Sequence, residues 1–319
     1  MKYIIGIAAG KGGVGKSTIT VNLALALKNL GFAVGILDAD IYGPSMQHML
    51  PKGTAPYEKD GAIVPADTYG IKLISMAFFK QEAAAVRAPI ANGLINQFIH
   101  RVEWGDLDYL FVDFPPGTGD IQLTLAQECN FTGAIVVTTP QEVALIDVRK
   151  AIQLFEPLRV PVLGVIENMS YYGKEKIYLF GRDGGKRLAE EYRIPFLGQI
   201  PLDPELCACG DEGASIFSKN PHSPSAEVFN LIAMQLNKEL STINRNNRQN
   251  FDLNTLKPLA KKIQSLCPCA KCRDQAMQQK DDVEILNMQQ SGRFAVRFVF
   301  SSGCSQGIYP FSLIEGSLP

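Results

Sequence analysis

The chain has 319 residues, 46% apolar and 20% charged, a balance suited to one large globular domain with a small companion. Its 31 Lys plus Arg against 32 Asp plus Glu give a net charge of −1, which excludes a global basic field for nucleic acid. The first apolar run, ending near Ala9, is too short for a signal peptide or a membrane span, so a cytoplasmic protein is expected.

In chain order, the pattern predicts a strand at Tyr3–Ala9, a helix at Ser17–Leu30 and a strand at Ala33–Asp38. Residues 52–75 read as an inserted hairpin turning at Gly61 and Gly70. A helix at Pro89–Val102 follows, with Pro89 in its first turn, where a missing N–H costs nothing. Strands at Tyr109–Asp113, Ala134–Thr138 and Val162–Glu167 alternate with helices at Ile121–Glu128 and Gln141–Leu154. These strands are continuously apolar, as strands buried on both faces should be. Residues 1–241, closing on a helix at Ser225–Leu240, are therefore expected to form an α/β domain with a doubly wound, mostly parallel sheet. The asparagine-rich stretch 242–254 reads as a linker. Residues 255–319 read as a small cysteine-rich α+β domain with strands at Val283–Met288 and Phe294–Phe300. Its size calls for a metal staple.

The first strand runs into Gly10-Lys11-Gly12-Gly13-Val14-Gly15-Lys16-Ser17-Thr18 and then a helix, the context that a phosphate-binding loop requires. Glycines let backbone N–H groups wrap a polyphosphate, and the helix N-terminus adds a favourable dipole. Lys16 is placed to contact the terminal phosphates of ATP, and Ser17 to ligate Mg²⁺. Three acids lie at or just past strand ends. Asp40 is a candidate to position or deprotonate the attacking water, and Asp38 to support Mg²⁺ through its water shell. Asp113 is a candidate Mg²⁺ acid, also acting through water, ahead of the glycine-containing segment Phe114–Asp120. A bland reading makes Asp38 or Asp113 a cap or turn residue. The histidines, His48, His100 and His222, read as surface or cap residues.

The second lysine, Lys11, makes the loop resemble the deviant Walker A family that includes MinD, ParA, the nitrogenase iron protein and the Mrp/ApbC proteins. The resemblance implies that Lys11 reaches a partner subunit's nucleotide, so an ATP-dependent homodimer with slow hydrolysis is expected. It further implies that Asn168 bonds adenine and that Pro201 and Asp203 line the base; a simple turn is the alternative for each. Leu37–Ser45, Val112–Asp120, Glu167–Ser170 and Phe196–Leu202 narrow the resemblance to the Mrp/ApbC branch. That branch implies an ATPase carrying iron–sulfur clusters, with cluster-assembly proteins and recipient apoproteins as partners. One departure matters. Where relatives carry C-P-x-C, residues Tyr171–Tyr178 hold no cysteine, and Tyr or Lys cannot replace thiolate ligands.

Cys207-Ala208-Cys209 reads as a loop pair, either metal ligands or ordinary thiols, while Cys129, alone at a helix end, reads as packing. Cys267, Cys269 and Cys272 form a stronger cluster, able to cap one tetrahedral metal with Cys304 as fourth ligand. The stretch from Gly292 to Phe311 resembles the small domain that begins gamma-butyrobetaine hydroxylases, in which a C-x-C-x-x-C knuckle and a later histidine hold zinc. Here Cys304 stands at the histidine position. Zn²⁺, an iron–sulfur cluster and free thiols all remain open. A MinD/ParA-like switch binding membrane or DNA is the alternative function, as is a scaffold with a structural nucleotide. The tail Phe311–Pro319 is neither basic nor helical in pattern, so no membrane or nucleic-acid partner is expected.

Overall fold

A computed structural model of the chain describes residues 1–40, 43–79, 93–94, 97–99, 101–117, 119–158, 160–246, 256–266, 283–291, 295–302, 308–310 and 314. Strands β1 (Tyr3–Ala9), β2 (Val34–Asp38), β6 (Ile71–Ser75), β7 (Tyr109–Asp113), β8 (Gly133–Thr138), β9 (Val162–Glu167) and β10 (Phe196–Gln199) run parallel. With the antiparallel edge strand β5 (Ala66–Thr68), they form one sheet in the order β10-β9-β8-β1-β7-β2-β6-β5. The expected parallel α/β sheet is therefore present.

Its strands are apolar throughout because both faces are covered. Tyr3, Ile5, Ile7, Tyr109, Phe111, Ile135 and Val137 belong to a cluster shared with helices α1 (Lys16–Asn29) and α8 (Pro224–Asn246). The alternate residues Ala8, Leu110, Val112 and Ala134 pack on the other face, with helix α3 (Asp120–Glu128) and Phe155 of helix α4 (Glu142–Phe155). Helix α4 buries Ala144, Leu145, Val148, Ala151 and Ile152, the three-and-four spacing that presents one face to a sheet.

Several expectations change in detail. Residues 52–75 make two hairpins: β3 (Tyr57–Lys59) with β4 (Ala62–Val64), and β5 with β6, which enters the main sheet beside β2. Residues 93–94 and 97–99 are helical, but Val102 pairs with Ile63, so the expected helix stops short of it; the rest of Pro89–Val102 lies outside the described residues. Helix α8 continues to Asn246 through the first residues read as linker. Asparagine composition suggested a break, yet a helix already anchored by Phe229, Leu236 and Leu240 propagates cheaply. Between β9 and α8 come helices α5 (Gly184–Tyr192), α6 (Pro204–Glu212) and α7 (Ile216–Lys219).

Near the C-terminus, β11 (Ile285–Ser291), β12 (Ala295–Phe300) and β13 (Ile308–Pro310) form a separate antiparallel sheet. Phe298, Phe300 and Tyr309 pack their rings together on it, and helix α9 (Ala260–Ser265) precedes it. Cys267, Cys269, Cys272 and Cys304 lie outside the described residues.

Candidate functional site

The carboxyl ends of β1, β7 and β2 lie side by side, with Asp113 in register with Ile7 on one side and Asp38 on the other. Open α/β sheets bind ligands at this edge. The loop from Gly10 to Gly15 crosses it and hands over to α1. Gly13 and Gly15 adopt left-handed φ of 80° and 83°, which favours glycine. Gly10 is required for a different reason: a Cβ there would fall 2.2 Å from the backbone of Asp147 in α4.

A cavity of about 600 Å³ opens over the loop. Lys11, Lys16, Ser17, Thr18 and Asp40 line it on the sheet side, and Cys207 and Asp211 of α6 face them. Lys16, nearly buried, ion-pairs with Asp113, which is fully buried. Ser17 Oγ donates to the same carboxylate oxygen at 2.7 Å, and Thr20 Oγ1 donates to the other at 2.7 Å. Asp113 is thus held on both oxygens by α1. One hydroxyl beside one carboxylate is an all-oxygen donor set, which fits Mg²⁺.

Asp38 sits one strand further and does not line the cavity; it accepts from Ser75 Oγ at 2.8 Å and from the Asp40 N–H at 3.2 Å. It therefore supports the backbone of Asp40, whose own carboxylate reaches the cavity and accepts from the Gly43 N–H at 3.1 Å. Burial, with the Asp113 carboxylate beside it, pushes the Asp38 carboxyl up to about 7. The folded protein therefore holds a proton that the unfolded chain releases near pH 4. That contribution is full below pH 4 and is lost as pH rises towards 7. Asp38→Asn, which mimics the protonated form, is expected to melt on the order of 5 °C above wild type at pH 8 and level with it at pH 4. A melting-temperature difference that does not change between those pH values would refute this.

Other sequence-predicted residues are placed differently. Asn168 is buried, and its side-chain amide donates to the Val14 carbonyl at 2.9 Å, bracing the loop from behind. Asp203 caps α6, accepting from the Glu205 N–H at 2.9 Å and from Ser225 Oγ at 2.7 Å. Neither these two nor Pro201 is among the residues lining the cavity. Cys207 and Cys209 lie on helix α6, not in a loop, because Pro204 at its first turn and the Asp203 cap start a helix there. Two residues apart on a helix, they face apart: Cys207 is exposed at the cavity, and Cys209 is buried, which pushes its thiol up. No group of three or more metal-binding side chains occurs among the described residues. Burial also pushes the Cys129 thiol up to about 12, in keeping with a packing role. His48 proves to be an exposed residue at the cavity wall.

The sequence reading missed Thr20, Ser75 and Glu167. Thr20 had a signal, since it lies one helical turn beyond Lys16. Ser75 had one only through sheet register with Asp38.

Residues 1–237 match a family model described as NUBPL iron-transfer P-loop NTPase, and residues 242–315 match one described as gamma-butyrobetaine hydroxylase-like, N-terminal. An iron–sulfur cluster carrier protein from Aquifex aeolicus is 44% identical over 247 residues, 75% of this chain and 68% of that one. Among solved structures, a nucleotide-binding protein from Archaeoglobus fulgidus in complex with ADP is 41% identical, with a TM-score of 0.58 over 66% of this chain and 86% of that one. The septum site-determining protein MinD from Pyrococcus horikoshii shares the fold at 23% identity, with a TM-score of 0.58 over 75% of this chain and 97% of that one. No described helix is long and apolar enough to cross a membrane. From the glycine loop with its two lysines to the last turns of α8, the chain belongs to the NUBPL iron-transfer P-loop NTPase family.

Proposed function

We propose that this protein binds and hydrolyses Mg-ATP at the Gly10–Thr18 loop, dimerises around the nucleotide, and carries iron–sulfur clusters to recipient apoproteins. The observation that carries the reading is the convergence of Lys16, Ser17 and Thr20 on the buried Asp113 beneath a cavity open to the glycine loop. In this reading Lys16 neutralises the terminal phosphates, and the backbone N–H groups of the loop cradle them. Ser17 and Asp113 would hold Mg²⁺, which neutralises charge on the phosphate oxygens when bound. Of Asp38, Asp40 and Asp113, Asp40 is the one that lines the cavity, so it takes the role of orienting the attacking water, with Asp38 fixing its backbone. Lys11, half-buried at the cavity, is the residue offered to a second subunit.

Lys11→Ala is expected to leave ADP affinity within about threefold of wild type while abolishing ATP-dependent dimerisation and lowering turnover at least about tenfold. Light scattering with a non-hydrolysable ATP analogue tests this. A Lys11→Ala protein that still dimerises on ATP would leave the residue without that role. Carriage of a cluster is supported by family membership, and its site by the cysteine-rich segment, since Cys207 and Cys209 face apart. Cys267, Cys269, Cys272 and Cys304 are proposed to hold zinc or an iron–sulfur cluster through soft thiolates, stapling residues 255–319. Metal analysis of the full chain after anaerobic reconstitution should give stoichiometric zinc or iron, and Cys272→Ser should lose it. Equal metal content in both proteins would place the metal elsewhere.

A further inference from the structure

The end of β9 carries a buried acid to which the reading above gives no task. Glu167 is fully buried, and its partners among the described residues are donors rather than cations. Ser170 Oγ donates to Oε1 at 2.5 Å, Gln199 Nε2 to the same oxygen at 3.0 Å, and the Gly185 N–H to Oε2 at 2.6 Å. Gln199 also donates to Asp183 at 2.9 Å. One carboxylate therefore ties together the ends of β9 and β10 and the start of α5.

What this knot holds in place lies on either side of it. Towards the loop, Asn168 bonds the Val14 carbonyl, and a Cβ on Gly15 would fall 2.2 Å from the Asn168 amide nitrogen. The two segments therefore pack together with no room between them for a methyl group. Towards the surface, Met169 is held at a left-handed φ of 53°, which a side chain keeps only when its surroundings enforce it. Ser170 N–H then bonds the Ile200 carbonyl, Leu202 N–H bonds the Tyr171 carbonyl, and Tyr172 and Ile177 exchange N–H···O=C bonds across a small hairpin. That hairpin carries Tyr172, Ile177 and Leu179 about half exposed, with Phe180 close behind. It is the segment in which the cysteine pair of the Mrp/ApbC resemblance is replaced.

We propose that Glu167 is a positioning residue that couples the phosphate loop to the hairpin Tyr171–Phe180, so that nucleotide on the loop orders this exposed apolar surface. The inference rests on the nucleotide-binding reading. Ligand on the loop N–H groups fixes Val14 and Gly15, and the Val14 carbonyl then fixes Asn168. Glu167 keeps residues 167–170 a single rigid turn, so the restraint passes on to Tyr171 instead of dissipating. The Asn168–Val14 bond is the contact through which the restraint passes.

Hydrogen–deuterium exchange of the full chain, with and without Mg-ADP, tests the coupling. In the wild type, nucleotide should slow exchange in both residues 10–18 and residues 170–182. In Glu167→Gln, whose added N–H₂ meets donors on every side, protection of 10–18 should remain. The nucleotide-dependent protection of 170–182 should fall by at least about half. A merely structural glutamate would speed exchange of 170–182 equally in both states, leaving the nucleotide difference intact, and that result overturns the proposal. So does a wild type protected at 10–18 alone. Absence of protection at 10–18 would overturn the nucleotide reading itself, and the coupling with it. If Glu167→Gln fails to fold, Ser170→Ala, which removes one donor and keeps the carboxylate, carries the same comparison; an unchanged difference there overturns the proposal.

Discussion

Lys16→Ala is expected to lower ATP turnover at least about a hundredfold and to destabilise the ligand-free fold by about 3–5 kcal/mol. The first effect is that of losing a pre-placed cation from the transferred phosphoryl group. The second is less usual for a lysine. Asp113 is fully buried, and Lys16 is its ion-pair partner, while Asp38 on the next strand adds carboxylate character to the same spot. Truncating the lysine strands a buried charge, which costs more than the pair itself contributes. For a domain of this size the loss corresponds to a fall of roughly 10 °C in melting temperature. Adding Asp113→Asn should restore most of the stability, because no unpaired charge remains, without restoring turnover. Phosphate release and thermal melts on the single and double variants separate the two effects. A Lys16→Ala protein melting with the wild type would sink the electrostatic half of the account; one that turns over normally would sink the catalytic half.

Gly10→Ala should be more damaging than Gly13→Ala, although Gly10 has no unusual φ. The added Cβ would lie 2.2–2.5 Å from three backbone atoms of Asp147 and Val148, none of which can turn aside as a side chain can. Either the loop lifts from the sheet edge or α4 shifts, and overpacking of this kind costs about 1–3 kcal/mol or more. At Gly13 nothing lies within 4 Å of the new Cβ, so Gly13→Ala meets only the left-handed penalty of about 1–2 kcal/mol. Nucleotide affinity should therefore fall further for Gly10→Ala than for Gly13→Ala. Isothermal titration with Mg-ADP gives the ranking, and the reverse order would mean that loop flexibility, not its seat against α4, limits binding.

The central strands were legible because burial on both faces imposes continuous apolar runs, and β1, β7 and β9 begin and end where the sequence places them. The loop and its acids were legible because phosphate chemistry needs those residue types at fixed spacing. What escaped had no local signature. Helix α6 contains two cysteines and Gly210, a composition that suggests a loop, and only Asp203 and Pro204 at its start mark it as a helix. Likewise, the Asn168–Val14 bond joins residues 154 positions apart, so nothing local announces it. Glu167 looked like the polar end of a strand, since its three donors come from separate elements.

The place of β1 in the sheet also bears on how the chain is made. β1 leaves the ribosome well ahead of its sheet neighbours β7 and β8, whose residues follow about a hundred or more positions later. Tyr3 Oη also bonds the Leu240 carbonyl near the end of α8. The apolar run Tyr3–Ala9 thus waits without its permanent neighbours while most of the domain is translated. Long-range parallel pairing of this kind folds slowly and leaves sticky intermediates. The nascent chain is accordingly a natural client for chaperones until Thr138 has emerged, and release before that point is where misassembly should concentrate.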